Sequence, residues 1–187
     1  MFIQTEATPN PAVLKFLPGR ELMASGTREF HDEGEAADSP LAEALFELGG
    51  IKRVFFGQEF LTVTKAEDRD WVHLKAPILA AIMDHFTDGR PLLRGAAVSE
   101  DEEVYEGDTA QVVAEIKDLL DSRIRPAVAQ DGGDILFARF EPATGVVWLH
   151  MRGACAGCPS SAATLKAGVE NMLKHYVPEV TRVEQAL

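Results

Sequence analysis

Gly153-Ala154-Cys155-Ala156-Gly157-Cys158-Pro159-Ser160-Ser161 stands between a strand-like run and a helical one. Val146 to Met151 reads as a strand, and behind the loop Leu165, Val169, Met172, Leu173 and Tyr176 recur at helical spacing. Pro159 suits the first helical position, which puts Cys158 at the N-cap. Free N–H groups and the positive end of the helix dipole favour a thiolate there, and thiolate is the form that ligates metal. Cys155 and Cys158 are the only cysteines in the chain. Gly153 and Gly157 predict an open, exposed backbone around them. This loop is expected to be the working end, with Cys155 and Cys158 as candidate metal ligands.

The flanks of the loop fit a compact α+β unit. Val112, Val113, Ile116, Leu119, Leu120 and Ile124 form one helix face, with Asp108 or Thr109 expected as N-cap and Gln111 three residues after Asp108. Pro126 is expected to end or kink that helix near Ile124. Gln130-Asp131-Gly132-Gly133-Asp134 reads as a tight loop, and Ile135–Phe140 pairs with Val146–Met151 as a hairpin. Pro178 stops the last helix, and 180–183 reads as a short strand. Trp148 and Met151 are expected in packing, Ser160 and Ser161 in helix capping, and Lys166 as a solvated helix residue.

The first half carries no cysteine. Residues 2–6 and Val13–Leu17 read as strands around the turn Thr8-Pro9-Asn10-Pro11. Residues 34–38 read as a mobile loop. Ser39 caps a helix with Pro40 at its first position, and Gly49-Gly50 ends it. Lys52–Phe56 and Phe60–Lys65 form a hairpin around Gly57-Gln58-Glu59, and a last helix runs over 75–86. The order β-β-α-β-β-α predicts an antiparallel sheet. His31, His73 and His85 are scattered, so they are read as surface or satisfied histidines. Glu67, Asp68 and Asp70 read as a solvated acidic turn, without the oxygen-ligand pattern of a calcium loop.

The formal net charge of −12 argues against nucleic acid as a partner. Residues 97–108 hold six acids and no base, half of that excess. They read as a solvated linker extended by like-charge repulsion. No apolar run is long enough for a membrane span. Residues 1–6 look like a strand and not a leader, so a cytoplasmic protein is expected, or a mitochondrial matrix one if a leader has been removed. The expected architecture is α+β: two small α+β domains, 1–92 and 109–187, joined by an acidic flexible linker, 93–108.

A lone Cys-x-x-Cys is compatible with several chemistries. A thioredoxin-like redox pair also lies between a strand and a helix, but too little chain follows Cys158 to complete that fold. Structural zinc needs four ligands, and His150 and His175 do not stand at ligand spacing from the pair. An iron–sulfur cluster is usually held by four thiolates, so two chains would share one cluster across a symmetric dimer. Such a cluster is labile, because separating the subunits removes half its ligands. A zinc-bridged dimer satisfies the same ligand count, and a thiol–disulfide oxidoreductase uses the same two cysteines. No nucleophile–base pair and no phosphate loop points to turnover chemistry.

The stretches 131–134, 153–161 and Thr164-Leu165-Lys166 closely resemble the NifU-like C-terminal domain. Residues 1–6, Thr8-Pro9-Asn10-Pro11, Leu14-Lys15-Phe16, Ser39-Pro40-Leu41-Ala42 and Val54-Phe55-Phe56-Gly57 resemble the Nfu N-terminal domain. The resemblance covers nearly the whole chain apart from the linker. It implies a scaffold or carrier, not an enzyme, that binds a [4Fe-4S] cluster and delivers it to apo-enzymes. Cys155 and Cys158 match the family's cluster ligands, and family members bridge the cluster between two protomers. The implied recipients are lipoyl synthase-like and aconitase-like enzymes, with an upstream cluster donor. The N-terminal domain is implied in partner recognition. The domain order resembles mitochondrial and related bacterial Nfu proteins, and the bacterial form is the expectation.

Overall fold

The computed structural model describes residues 2–95, 103–157 and 159–186, and of residues 159–161 the backbone alone. The chain divides into two compact units, Met1–Val98 and Ser99–Leu187, and both mix helices with a sheet. The fold is α+β. Of the acidic segment expected at 93–108, residues 96–102 lie outside the described residues.

The first unit is a five-stranded antiparallel sheet in the order β1-β2-β5-β4-β3. Its strands are β1 (Gln4–Ala7), β2 (Val13–Leu17), β3 (Arg28–Phe30), β4 (Ile51–Phe56) and β5 (Leu61–Lys65). The period-two pattern sends Phe16, Val54, Phe56, Leu61 and Val63 to one face, against Leu41, Leu45, Leu74, Ile78 and Ile82 of the helices. The register lines up Glu6, Lys15, Thr62, Phe55 and Glu29 as a row across the other face. Lys15 is buried there, with its Nζ over the Phe60 ring at 4.6 Å and 3.7 Å from Glu6. Ring and carboxylate replace part of the hydration that the ammonium loses.

Helix α2 (Pro40–Glu47) begins as expected, with Ser39 Oγ accepting from the Ala42 N–H at 3.2 Å. Gly57 N–H donates to the Phe60 carbonyl at 2.8 Å and closes the β4–β5 hairpin, and a Cβ on Gly57 would strike the Phe60 ring. Three expectations change. Residues 33–36 form a short helix, α1, where a mobile loop was expected, because Asp32 caps it by accepting from the Glu35 N–H at 2.9 Å. The edge strand β3, too short to show a period, was not anticipated. Helix α3 (Trp71–Asp88) starts a full turn before 75, since Asp70 is its cap and Trp71 Nε1 donates to the Pro11 carbonyl at 3.0 Å. Pro77 therefore falls inside the helix and has no N–H for its ladder.

The second unit opens with α4 (Gly107–Leu119), two or three residues before the expected start and without a side-chain cap. Pro126 does not end the helical run. The backbone widens into a π-helical turn over Leu120–Ile124, where the Arg125 N–H donates to the Leu120 carbonyl, and continues as α5 (Arg125–Gln130). The sheet is β6 (Gly133–Glu141), β7 (Val146–Gly153) and β8 (Arg182–Gln185), with β7 central. The β6–β7 pair is antiparallel and the β7–β8 pair parallel, the crossover being α6 (Pro159–Tyr176). Ile116, Leu120, Ile135, Val147, Leu149, Leu173 and Val183 make the core.

The three N-terminal histidines are not alike. His31 lies between Glu29 and Glu35, at 3.2 and 3.0 Å, and His73 is exposed. His85 is buried, and its Nε2 has no hydrogen-bond partner, which corrects the surface-or-satisfied reading. Burial pushes the His85 imidazole below its ordinary pKa, helped by Arg90 and Arg20 and opposed by Asp88. The unfolded chain therefore takes up this proton first, and the contribution of His85 to stability is full above pH 6.5 and falls as pH drops through that value. In urea titrations at about pH 7.5 and about pH 5.5, His85→Phe is expected to narrow the acid-side loss of the first unit's stability.

Candidate metal centre

The cysteine loop is the connection from the carboxyl end of β7 into α6, inside a β-α-β crossover. Loops at that end of parallel strands, ahead of a helix N-terminus, are where α/β architectures bind ligands. Helix α6 starts at Pro159, as the sequence predicts.

The loop packs down onto the sheet. The Ala154 N–H donates to the Gly132 carbonyl and the Ala156 N–H to the Gly153 carbonyl, each at 3.1 Å. Gly132, Gly153 and Gly157 hold φ at 82°, 63° and 81°, a region closed to most side chains. Gly133 faces Gly153 across the β6–β7 ladder. A Cβ built on Gly133 would fall on the Cys155 sulfur and within 2.9 Å of the Arg152 carbonyl oxygen and 3.0 Å of the Cys155 nitrogen. The double glycine is thus the seat of the thiol.

The expectation of an exposed loop is corrected. Ala154, Cys155 and Ala156 are 4%, 6% and 8% exposed, and Cys155 joins the hydrophobic core of the unit. Only Gly157 reaches solvent freely among the described loop residues. The small apolar side chains at 154 and 156 let the backbone settle on β6, which glycine counting alone could not foretell. Cys158 lies outside the described residues, as do the side chains of Ser160 and Ser161.

An ion-pair network lies behind the seat. Arg125 donates from Nε and Nη2 to the two carboxylate oxygens of Asp134, at 2.8 and 3.0 Å, and from Nη1 to Asp121 at 2.8 Å. Asp134 is 4% exposed, and its Oδ1 also accepts from the Ile135 N–H at 2.9 Å. The hydrogen bond to Asp134 pushes the guanidinium above its already high ordinary pKa, so it stays charged. Arg125 was not singled out from sequence, since its partner lies in another element and leaves no periodic trace. Lys166 is not simply solvated: its Nζ donates to Glu184 of β8 at 2.6 Å and holds that carboxyl below its usual range. Glu170 accepts from Lys174 at 2.7 Å and from the Val183 N–H at 3.0 Å, fastening α6 to β8 a second time.

Met151 is in the core, as expected. Trp148 is half-buried, with the Arg139 guanidinium 5.1 Å from its ring centroid and an Nε1 without a hydrogen-bond partner. Among the described residues no three His, Cys, Asp or Glu side chains gather as a metal site. His150 and His175 add no such group.

The chain matches two family descriptions, "Scaffold protein Nfu/NifU N terminal" over residues 3–89 and "NifU-like domain" over residues 116–184. It is 51% identical to the "NifU-like protein 4, mitochondrial" of Arabidopsis thaliana, covering 99% of this chain and 66% of the relative. The "NifU-like protein 5, mitochondrial" of the same plant is 50% identical, over 99% and 68%. The "NFU1 iron-sulfur cluster scaffold homolog, mitochondrial" of Drosophila sechellia is 50% identical, over 99% and 65%. The chain thus spans about two thirds of the length of these relatives. A solution NMR structure of a NifU-like protein from Saccharomyces cerevisiae superimposes with a TM-score of 0.46 at 26% identity, over 50% of this chain and 85% of that one.

Gly133→Ala is expected to destabilise the second unit by about 1–3 kcal/mol, because backbone atoms crowd the new methyl along with the sulfur. Urea unfolding monitored by circular dichroism checks this. A change under about 0.5 kcal/mol would show that the seat is looser than the geometry says.

Proposed function

The chain belongs to the Nfu/NifU-like family of iron–sulfur cluster scaffold proteins, and from that membership we propose that it carries one labile [4Fe-4S] cluster between two copies of itself and passes it to apo-enzymes. Cys155 and Cys158 of each copy are the proposed ligands. The observation that carries this reading is the mismatch between two thiols per chain and four thiolates per cluster. The position of Cys158 in the sequence, immediately before Pro159 at the start of α6, supports it, since the helix dipole favours a thiolate at an N-cap.

The cluster is cargo. Each Fe–S bond to Cys155 or Cys158 that breaks is replaced by a bond from that iron to a ligand of the recipient or to water, and the departing thiolate takes the proton that the incoming thiol or water gives up. No electron is gained or lost. Subunit separation leaves each copy with half the ligand set, which makes release easy. The proposed recipients are lipoyl synthase-like and aconitase-like enzymes, fed by an upstream donor, and the proposed role of the first unit is their recognition. The proposed compartment is the cytosol or the mitochondrial matrix, and the names of the plant and fly relatives carry the second. No described helix is long and apolar enough to cross a membrane. The oxidoreductase and the zinc-bridged module find no counterpart in the family descriptions.

Anaerobic reconstitution with iron and sulfide, followed by gel filtration, tests the proposal. The expected result is a dimer with about two irons and two sulfides per chain. Cys155→Ser is expected to abolish iron uptake and leave the far-ultraviolet dichroism unchanged. A parent chain that takes up no iron and cycles dithiol to disulfide as a monomer would sink the carrier reading.

A further inference from the structure

We infer that Arg125 is a positioning residue for Cys155: through Asp134 it holds the Gly132-Gly133 turn against the thiol and so sets where that sulfur can meet iron. The inference rests on the reading of Cys155 as a cluster ligand.

The path is short and consists of contacts already described. The guanidinium grips both oxygens of Asp134, at 2.8 and 3.0 Å. A two-point grip fixes the plane of the carboxylate, which a lysine cannot do. Asp134 is bonded through Oδ1 to the N–H of the next residue, Ile135, so its carboxylate cannot swing without moving the strand. The residue before it is Gly133, whose α-carbon faces the Cys155 sulfur with no room for a methyl group. The residue before that is Gly132, whose carbonyl receives the Ala154 N–H. A shift of Asp134 therefore moves the seat on both sides of the sulfur.

The π-helical turn is a second, independent feature that points to the same place. It inserts one residue into the helix directly before Arg125. One inserted residue rotates everything after it by about 100°, which redirects the arginine towards β6. Such turns are costly for a helix and gather at functional sites.

Stability is a poor explanation for the pair. A buried ion pair is often no better for stability than apolar residues of the same size. What it supplies is a fixed angle, and the group at the end of that angle is the cysteine.

The test begins in the apo protein and needs no metal. In a Cys158→Ser background Cys155 is the sole thiol, and its rate of alkylation by iodoacetamide reads its exposure. The variants are Arg125→Lys, Arg125→Met, and Arg125→Met combined with Asp134→Leu, which leaves no orphaned charge. Val183→Ala, a core truncation on β8, serves as a matched loss of stability away from the seat. Arg125→Met and the double variant are expected to alkylate about tenfold faster or more, equal to about 1.4 kcal/mol of local opening, with dichroism unchanged. Arg125→Lys falls between them and the parent, and Val183→Ala stays near the parent. A folded double variant that reacts at the parent rate overturns the inference, and so does a Val183→Ala rate that rises as far. If the double variant does not fold, Arg125→Lys decides by the same comparison with Val183→Ala.

A second readout uses the chain with both cysteines. After reconstitution, Arg125→Lys is expected to change the visible circular dichroism of the bound cluster at unchanged iron content. An identical spectrum counts against the inference. A parent chain that binds no iron defeats the carrier proposal, while the alkylation rates still decide what holds Cys155.

Discussion

The absence of one side chain governs the second unit. Gly133 lets the start of β6 come within contact of the Cys155 sulfur, and the surrounding pieces maintain that approach. Gly132 and Gly153 turn the backbone on either side of it. The hydrogen bond from Ala154 to Gly132 draws the loop onto the strand. Arg125 and Asp134 close the arrangement from behind, the arginine standing directly after the π-helical turn. The thiol thus stands in the hydrophobic core of its unit, although its backbone belongs to a loop. A sulfur placed this way is shielded from chance oxidants, since reactivity follows exposure.

The first unit is organised by different means. Its sheet is hydrophobic on the helix-covered face and bears a row of mixed charge on the other. Lys15 is kept on that row by an aromatic ring and a carboxylate at the edge of the sheet. His85 has no such partner at Nε2, and burial pushes its imidazole below its ordinary pKa. The two groups meet burial differently: Lys15 has neighbours that replace part of its lost hydration, and His85 has none at Nε2.

Most of the architecture could be read from local signals. Ser39-Pro40, the turn at Gly57 and the helical spacing behind Pro159 each name their element, because propensity, capping and period agree there. The readings that failed did so where tertiary contacts outweighed local pattern. Residues 33–36 look like loop by composition, yet an aspartate cap suffices to make a helical turn of them. Asp70 looked like part of an acidic turn, and its neighbour's indole bond to Pro11, far away in sequence, makes it a cap. The cysteines were legible as a pair of thiols, but the burial of Cys155 was not, since glycines that open a backbone also let it fold closely onto another strand. The arginine that braces the site left no trace in the sequence. Its partner is nine residues on, in a strand, and no periodicity links a helix face to a strand end.

The parallel pairing of β7 with β8 has a consequence in time. A parallel pair cannot be closed by a tight turn, so Val147 and Val183 meet only after the chain between them has been folded back. The entropy of closing that long stretch defers the contact towards the end of folding, whereas the β6–β7 hairpin forms by neighbours alone. The cysteine loop is the first part of the deferred stretch. On this hypothesis of folding order, a chain still emerging from the ribosome offers two thiols with half a seat and no anchored helix, and metal caught at that stage is held in a geometry the finished domain does not share. Pulse-labelled hydrogen exchange during refolding at the Ala186 amide, which donates to the Leu149 carbonyl of β7 at 2.8 Å, times the event. If Ala186 gains protection together with the hairpin, the cysteines are never offered unfinished.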